Sequence, residues 1–167
     1  IFSSLEEGAL TLQQGGGVGY DFSILRPKGD LVRKTGIQSS GPVSFMNIWD
    51  TTCGILLSTG VRRGAMMGVM RCDHPDIEEF IEAKKNPHAL RHFNVSVMVT
   101  DAFMAAVKNN SDWPLIFQEK VYRKVKAREL WNKIIRSAYD YAEPGVLFGD
   151  TINRMNNLWY CERIAAT

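Results

Sequence analysis

The sequence predicts an α/β fold in which most strands pair in parallel. Stretches that alternate apolar and polar residues recur along the chain, separated by stretches whose apolar residues follow helical spacing. Each intervening helix can supply the crossover that parallel neighbours require. The 167 residues are 45% hydrophobic and 23% charged, which is typical of one globular domain. The four or five candidate strands would leave open edges by themselves, so we expect them to belong to a larger sheet or barrel.

The first part of the chain predicts one helix and one strand. Residues 1–14 carry apolar side chains at helical spacing and precede three consecutive glycines, so we expect a helix ended by glycine. Residues 18–25 alternate in period two, as in a strand. Residues 26–30 form a turn cluster, and a polar loop continues to Ser40.

A second helix is predicted between two polar loops. Ser40 can cap it, Pro42 suits its first turn, and the apolar stripe continues to about residue 57. Residues 58–64 form a glycine-containing loop, and residues 65–72 are apolar enough for a buried strand.

In the remainder of the chain, predicted helices again alternate with predicted strands. Residues 75–85 predict a helix with acids in its first turns and lysines at its end, and residues 93–99 alternate as a strand. Asp101 can cap a short helix after that strand. Further elements are expected as a helix at 127–142 and as short strands at 115–117 and 146–148.

Charge and hydropathy exclude several classes of protein. The formal net charge is only +2, and no apolar run approaches the roughly 18 residues of a spanning helix. The amino end has no charged segment followed by an apolar stretch, so we expect a cytoplasmic protein with no membrane partner. Residues 120–128 are locally basic, which we interpret as a solvated surface rather than a nucleic-acid site.

The cysteines favour a reduced protein. Cys53, Cys72 and Cys161 are odd in number and match no CxxC spacing, so neither disulfides nor a zinc site is expected. Cys161 lies beside Glu162 without a basic activator, and we expect a buried structural thiol there. The chain starts at Ile1 without Met, and we expect both termini to be cuts.

The glycine run at residues 15–17 permits two interpretations. Glycines allow close approach of the backbone to a ligand, yet here they follow a helix and open a strand, the reverse of a dinucleotide-binding loop. No Gly-Lys-Ser/Thr of a P-loop follows. A helix-ending turn and close approach to a ligand therefore both stay open.

Two basic loops at the two ends of the second helix suggest anion binding. Residues 28–40 carry Lys28, Arg33 and Lys34 next to hydroxyls and a helix start, a setting that suits phosphate; a plain solvated loop is the alternative. Arg62 and its neighbour Arg63 could hold a phosphate or stack on a base, or simply be exposed. The loops would be about 25 Å apart at the helical rise of 1.5 Å per residue, so one nucleotide could contact both only across a dimer.

Metal and acid–base sites are not indicated. His88 and His92 could share one helical turn, but no acid stands with them, so we predict no metal ligand. The acids between Asp73 and Glu82 suit a helix dipole, and no pair of residues forms a catalytic dyad.

Several blocks of sequence, in order along the whole chain, resemble the large chain of ribonucleotide reductases. The blocks that carry the resemblance are GGGVGYDFS (15–23), LRPKG (25–29), SGPVSFM (40–46), RRGA (62–65), DHPDI (73–77), FNVSV (93–97), EPGV (143–146) and NNL (156–158).

The resemblance implies part of a ten-stranded α/β barrel, its first half, in an enzyme that removes the ribose 2′-hydroxyl through a cysteine thiyl radical. It also implies a deoxynucleoside triphosphate effector bound at a homodimer interface, and a thioredoxin-type reductant. The implied effector-binding residues are Lys28, Arg33, Lys34 and Ser40, and the implied substrate-binding residues are Gly16, Gly17 and Arg62.

The catalytic cysteines that the resemblance implies would lie outside this chain. The radical cysteine of the family sits in an Asn-Pro-Cys-Gly-Glu motif, and residues 160–167 resemble the sequence just before it. Cys161 therefore takes no catalytic role, and no catalytic residue is expected in this chain. Within the family, the sequence of this chain is most similar to adenosylcobalamin-dependent reductases, and the alternative to cobalamin is a separate di-metal radical subunit. The alternative to a reductase is a non-catalytic nucleotide-binding module.

Overall fold

A computed structural model describes residues 1–32, 34–56 and 65–166. Over these residues the chain forms six α-helices and six strands. The helices are α1 (Phe2–Gln13), α2 (Pro42–Leu56), α3 (Ile77–Glu82), α4 (Asp101–Asn109), α5 (Ala127–Tyr141) and α6 (Gly149–Arg154). The strands are β1 (Gly17–Asp21), β2 (Ala65–Arg71), β3 (Phe93–Val99), β4 (Asp112–Phe117), β5 (Lys120–Lys126) and β6 (Gly145–Phe148). Two 3₁₀ turns cover Phe22–Ile24 and Ala83–Lys85.

The main sheet is parallel, as the sequence predicts. Its strands lie in the order β1-β2-β3-β6, and every neighbouring pair is parallel. Each crossover contains at least one helix, which is the connection that parallel strands require. The fold class α/β is therefore confirmed.

One hydrophobic core lies between this sheet and the helices. Met66 and Met70 on β2, with Phe93 and Val97 on β3, bury their side chains against Trp49 of α2 and against apolar residues of the other helices. Because side chains alternate along a strand, Met67 and its register partner Asn94 lie on the opposite face of the sheet. On that face, Met67 and Asn94 line a pocket together with Gly17, the first residue of β1.

The predicted strand at 18–25 is too long. β1 ends at Asp21, whose carboxylate accepts a hydrogen bond from the Ser23 backbone N–H at 2.9 Å and opens a 3₁₀ turn. Ile24, which the alternation would have buried, is 75% exposed. A local side-chain cap has overridden the period-two pattern.

Two predicted helix caps are wrong by one residue. The residue before Pro42 is Gly41, with φ of +84°, so Ser40 stands outside the helix start. Thr100, rather than Asp101, caps α4 by accepting the Phe103 N–H at 3.1 Å. Asp101 instead sits in the first turn, where its charge suits the helix dipole.

The basic segment at 120–126 is a strand that the sequence pattern did not reveal. It pairs antiparallel with β4, so the predicted brief strand at 115–117 is one end of a six-residue strand in a hairpin. Most β5 side chains are exposed, which agrees with a solvated surface. None of the helices in the described residues has the length and hydropathy needed to cross a bilayer.

Candidate functional site

Residues 28–32 and 34–40 of the polar loop form a small hairpin. Gly29 donates its backbone N–H to the Ser39 carbonyl at 2.8 Å, and Ser39 donates to the Asp30 carbonyl at 2.8 Å. Val32 donates to Ile37 at 2.9 Å, and Leu31 bridges Gln38 in antiparallel fashion. The loop therefore presents its side chains from a defined backbone. Arg33 lies outside the described residues.

A groove of about 620 Å³ opens between this hairpin and the first turns of α2. It brings together two of the predicted effector-binding residues, Lys28 and Ser40. Exposed Lys34 does not line it. Hydroxyl and amide side chains dominate the rest of its lining, which comprises Gly29, Gln38, Ser39, Val43, Ser44, Asn47 and Glu79.

Lys28 forms an ion pair with Glu79 of α3. Its ammonium lies 3.1 Å from both carboxylate oxygens of Glu79, and its backbone N–H donates to Asp76 at 2.8 Å. Burial raises the pKa of Asp76, partly offset by this donor. An anion entering the groove would compete with Glu79 for Lys28, and the serine hydroxyls supply uncharged donors beside it.

The buried His74 side chain links the backbone just before this loop, at Leu25, to the start of α3, at Asp76. It is 1% exposed, its Nε2 lies 3.0 Å from the Leu25 carbonyl, and its Nδ1 accepts the Asp76 backbone N–H at 3.0 Å. Accepting at Nδ1 requires the neutral tautomer that carries its proton on Nε2. Burial lowers the pKa of His74, in agreement with a neutral ring.

Acidification is expected to weaken this support. Because the folded-state pKa of His74 is depressed, its contribution to stability is complete above the unfolded value of 6.5 and is lost as pH falls from there toward the folded pKa. The limiting slope for one proton is about 1.4 kcal/mol per pH unit. Urea midpoints of wild type and His74→Asn between pH 7.5 and 5.5 measure it. His88→Asn, which removes an exposed histidine, is expected to keep the wild-type slope. Equal slopes in all three proteins would contradict the assignment.

The β4–β5 hairpin supports the loop from its side. The Tyr122 hydroxyl donates a hydrogen bond to the Asp30 carboxylate, and the Lys120 ammonium lies 4.4 Å from the centre of the Tyr122 ring. Partial burial and the Asp30 carboxylate raise the pKa of Tyr122 to about 12. Sequence reasoning missed Asp30, Asp76, Glu79 and Tyr122, because these contacts join residues far apart in the chain.

The glycine run ends α1 and also borders a second pocket. Gly15 has φ of +81°, and Gly16 donates its N–H to the Thr11 carbonyl at 2.9 Å. A Cβ at Gly16 would lie 2.7 Å from Thr11 Cγ2, so packing within the turn already requires glycine there. Gly17 lines a pocket of about 260 Å³. Both interpretations of the run thus have a structural basis, at different residues.

The two candidate sites lie at opposite ends of α2. The groove borders its first turn, whereas the Gly17 pocket lies where β1 and β2 begin. Fifteen residues at 1.5 Å per residue make α2 about 22 Å long, close to the separation expected from the sequence. Arg62 lies outside the described residues; the strand that follows it starts at the pocket with Ala65.

The thiols play no part in either site. Cys53 and Cys72 are buried, and burial raises the pKa of Cys72 to about 12. Cys161 is exposed, so the expectation of a buried thiol is wrong; a turn carries it at the surface, with its Sγ 3.4 Å from the Leu158 carbonyl. Across the described residues, no group of three His, Cys, Asp or Glu side chains could hold a metal ion.

The profile of the family described as "Ribonucleotide reductase, barrel domain" matches residues 1–167. The chain belongs to this family. The resemblance in the sequence is thereby confirmed, and the parallel sheet is a portion of the barrel that gives the family its description.

Among the curated relatives, the two that are 45% identical to this chain carry names that specify a cofactor. A Thermoplasma acidophilum protein named "Vitamin B12-dependent ribonucleoside-diphosphate reductase" is 45% identical over 159 residues, covering 93% of this chain and 21% of that protein. A Mycobacterium tuberculosis protein of the same name is 45% identical over 170 residues, covering 100% of this chain and 25% of that protein. An Arabidopsis thaliana "Ribonucleoside-diphosphate reductase large subunit" is 28% identical over 186 residues, covering 94% and 23%. The chain thus spans about a quarter of the length of these relatives.

Proposed function

We propose that the full-length protein reduces ribonucleotides to deoxyribonucleotides for DNA synthesis, with adenosylcobalamin as the source of the radical. The match of residues 1–167 to the barrel-domain family carries this proposal. The names of the relatives that are 45% identical favour cobalamin over a separate di-metal radical subunit. Residues 1–167 would be one portion of the catalytic barrel.

The cofactor would be held by other parts of the protein. When bound, adenosylcobalamin supplies the radical that starts the chemistry. Among the described histidines, His74 has both ring nitrogens engaged, and the His92 ring packs against α2, where a Cβ at Gly54 would lie 2.8 Å from its Cε1. These two buried or packed rings do not fit a cobalt ligand. The role proposed for the described part of the chain is to bind and orient nucleotides.

The groove beside the 28–40 hairpin is proposed as the site of a deoxynucleoside triphosphate effector. Lys28 and Ser40 line it, and Lys34 lies on the same hairpin, with Arg33 beside it in sequence. Cations and hydroxyls near a helix start suit a triphosphate. The pocket at Gly17, with Gly16 behind it and Arg62 just before β2, is proposed to bind the ribonucleotide substrate.

The helix α2 connects these two sites and offers a physical route between them. A displacement of the hairpin against the first turn of α2 would be carried along a packed helix whose Met46, Trp49 and Cys53 are buried in the core. We propose that a homodimer completes the effector site, that a thioredoxin-type protein supplies electrons, and that the protein is cytoplasmic.

Removal of one cation tests the effector assignment. Lys34→Ala in the full-length protein is expected to weaken effector affinity by about 1–3 kcal/mol, because a charge-assisted contact to phosphate is lost. Isothermal titration with each deoxynucleoside triphosphate measures the loss. Lys108→Ala, which removes an exposed lysine of α4, is the matched control and should bind like wild type. Unchanged affinity in Lys34→Ala would reject its role.

The activity itself is tested on the full-length protein with adenosylcobalamin, a dithiol reductant and each of the four ribonucleotides. Conversion to deoxyribonucleotide that requires cobalamin and responds to effector is the expected result. Conversion that instead requires an added di-metal subunit would replace the cobalamin assignment, and no conversion with either would overturn the proposal.

A further inference from the structure

Among the described residues, one polar side chain lines the pocket at the amino ends of β1, β2 and β3. Its volume is about 260 Å³, and it is bordered by Gly17, Val18, Ala65, Met66, Met67 and Asn94. Five of these residues are glycine or apolar. The side-chain amide of Asn94 is therefore the group in the lining with directional hydrogen-bonding capacity.

Within the part of the chain that the structure describes, Asn94 makes no contact that would explain an amide at this position. It is the second residue of β3, and alternation directs it away from the core in which Phe93 and Val95 are buried. It is exposed, and within the described residues its side chain makes no hydrogen bond. Its donor and acceptor are thus both available to a ligand.

The other walls suit a flat ring. Gly17 has no side chain, so its backbone is open to a ligand; among the described residues, a Cβ there would make ordinary contacts with Ala65, at 3.4 Å from its carbonyl oxygen and 3.8 Å from its Cβ. The Met67 thioether lies on the same face of the sheet as Asn94, its register partner. Methionine sulfur makes favourable contacts with aromatic rings. An apolar pocket in which a few polar groups fix the orientation of the ligand is typical of small-molecule sites, and the described lining of this pocket has that composition.

We propose that Asn94 is a specificity residue whose side-chain amide hydrogen-bonds the base of the ribonucleotide substrate. This inference rests on the proposed function and adds a residue to the substrate site. The amide presents its donor and its acceptor at fixed positions on the pocket wall, so it bonds well only to bases with the complementary group there, and its contribution differs from one base to another.

The substitutions Asn94→Ala and Asn94→Asp in the full-length protein test this role. For each of the four ribonucleotides, kcat/KM is measured in turnover, and affinity is measured by equilibrium dialysis without cobalamin. Asn94→Ala is expected to lower both by about tenfold for at least one base while leaving another within about threefold, because only some bases lose a well-formed hydrogen bond. Asn94→Asp, which can only accept when ionised, should reorder the bases.

Two controls separate this role from a structural one. Asn132→Ala removes an exposed amide from α5 and should leave all four substrates unchanged. Without substrate, the affinity of Asn94→Ala for the effector should also equal that of wild type, because Asn94 does not line the groove.

A uniform loss for all four substrates would overturn the inference, since ribose and phosphates are common to all of them. So would values within about twofold of wild type for every base. Failure of the proposed function gives a different result: wild type would bind ribonucleotides without reducing them, and the dialysis measurements would still decide whether Asn94 contacts the base.

Discussion

Replacement of Lys84 by methionine is expected to lower the stability of the region around β3 by about 3 kcal/mol. The Lys84 ammonium donates to the carbonyls of Leu90 at 2.8 Å and Phe93 at 2.7 Å, and it lies 2.9 Å from Glu143. These three partners account for all three N–H donors of the ammonium. The two side chains are only 16% and 18% exposed, so methionine would leave a carboxylate and two carbonyls without their partner.

The loss is measured by hydrogen–deuterium exchange over β3 and β6 in the full-length protein. Lys85→Met is the matched control: this neighbour is 48% exposed and pairs with Glu82 at the surface, where such pairs contribute about 0–1 kcal/mol. Glu143→Gln should be milder than Lys84→Met, because its amide oxygen can still accept the Val95 N–H now held at 3.1 Å. Equal exchange in both lysine variants would show that Lys84 adds no more than a surface charge.

Elements with strong periodicity could be predicted from the sequence. β3 has the bounds 93–99 that its alternation predicts, and α5 ends one residue before the predicted limit, because each buries one face or one stripe of apolar residues. β5 could not be predicted, because it lies at the surface with lysine or arginine at four of its seven positions and buries too little for an alternating pattern. A strand of this kind is defined by its partner β4.

The candidate site also has a part that could be predicted from the sequence and a part that could not. Lys28 and the serines of the 28–40 loop stand close together in the sequence, so their common location in the groove could be predicted, whereas Lys34 does not line it. The groups that hold this loop come from elsewhere: Tyr122 is 92 residues from Asp30, and Glu79 is 51 residues from Lys28. Nothing in local spacing indicates such pairs, because they depend on how the β4–β5 hairpin and α3 pack against the loop.

Gly8→Ala is expected to displace α1 from the sheet, although alanine is the better helix former. A Cβ at Gly8 would lie 1.7 Å from the Tyr20 hydroxyl oxygen and 3.1 Å from Cζ of that ring. The ring cannot easily turn away, because its centre lies 5.6 Å from that of Trp49 and 6.0 Å from that of Phe22. Overpacking of this kind costs about 1–3 kcal/mol or more, against the roughly 1 kcal/mol that alanine gains in helix propensity.

Removal of the hydroxyl distinguishes this clash from any other effect of the methyl group. Tyr20→Phe alone should change little, since its hydrogen bond to the Ser4 carbonyl is long at 3.5 Å. In the double variant Gly8→Ala/Tyr20→Phe the nearest remaining atom would be the ring carbon at 3.1 Å, so most of the lost stability should return. Hydrogen–deuterium exchange over residues 2–13 and 17–21 in the full-length protein measures all three variants. If the faster exchange of Gly8→Ala persists in the double variant, its cause lies in the backbone of α1 rather than in Tyr20. Recovery would show that a glycine inside α1 is required by Tyr20, the ring that packs β1 against Trp49 of α2.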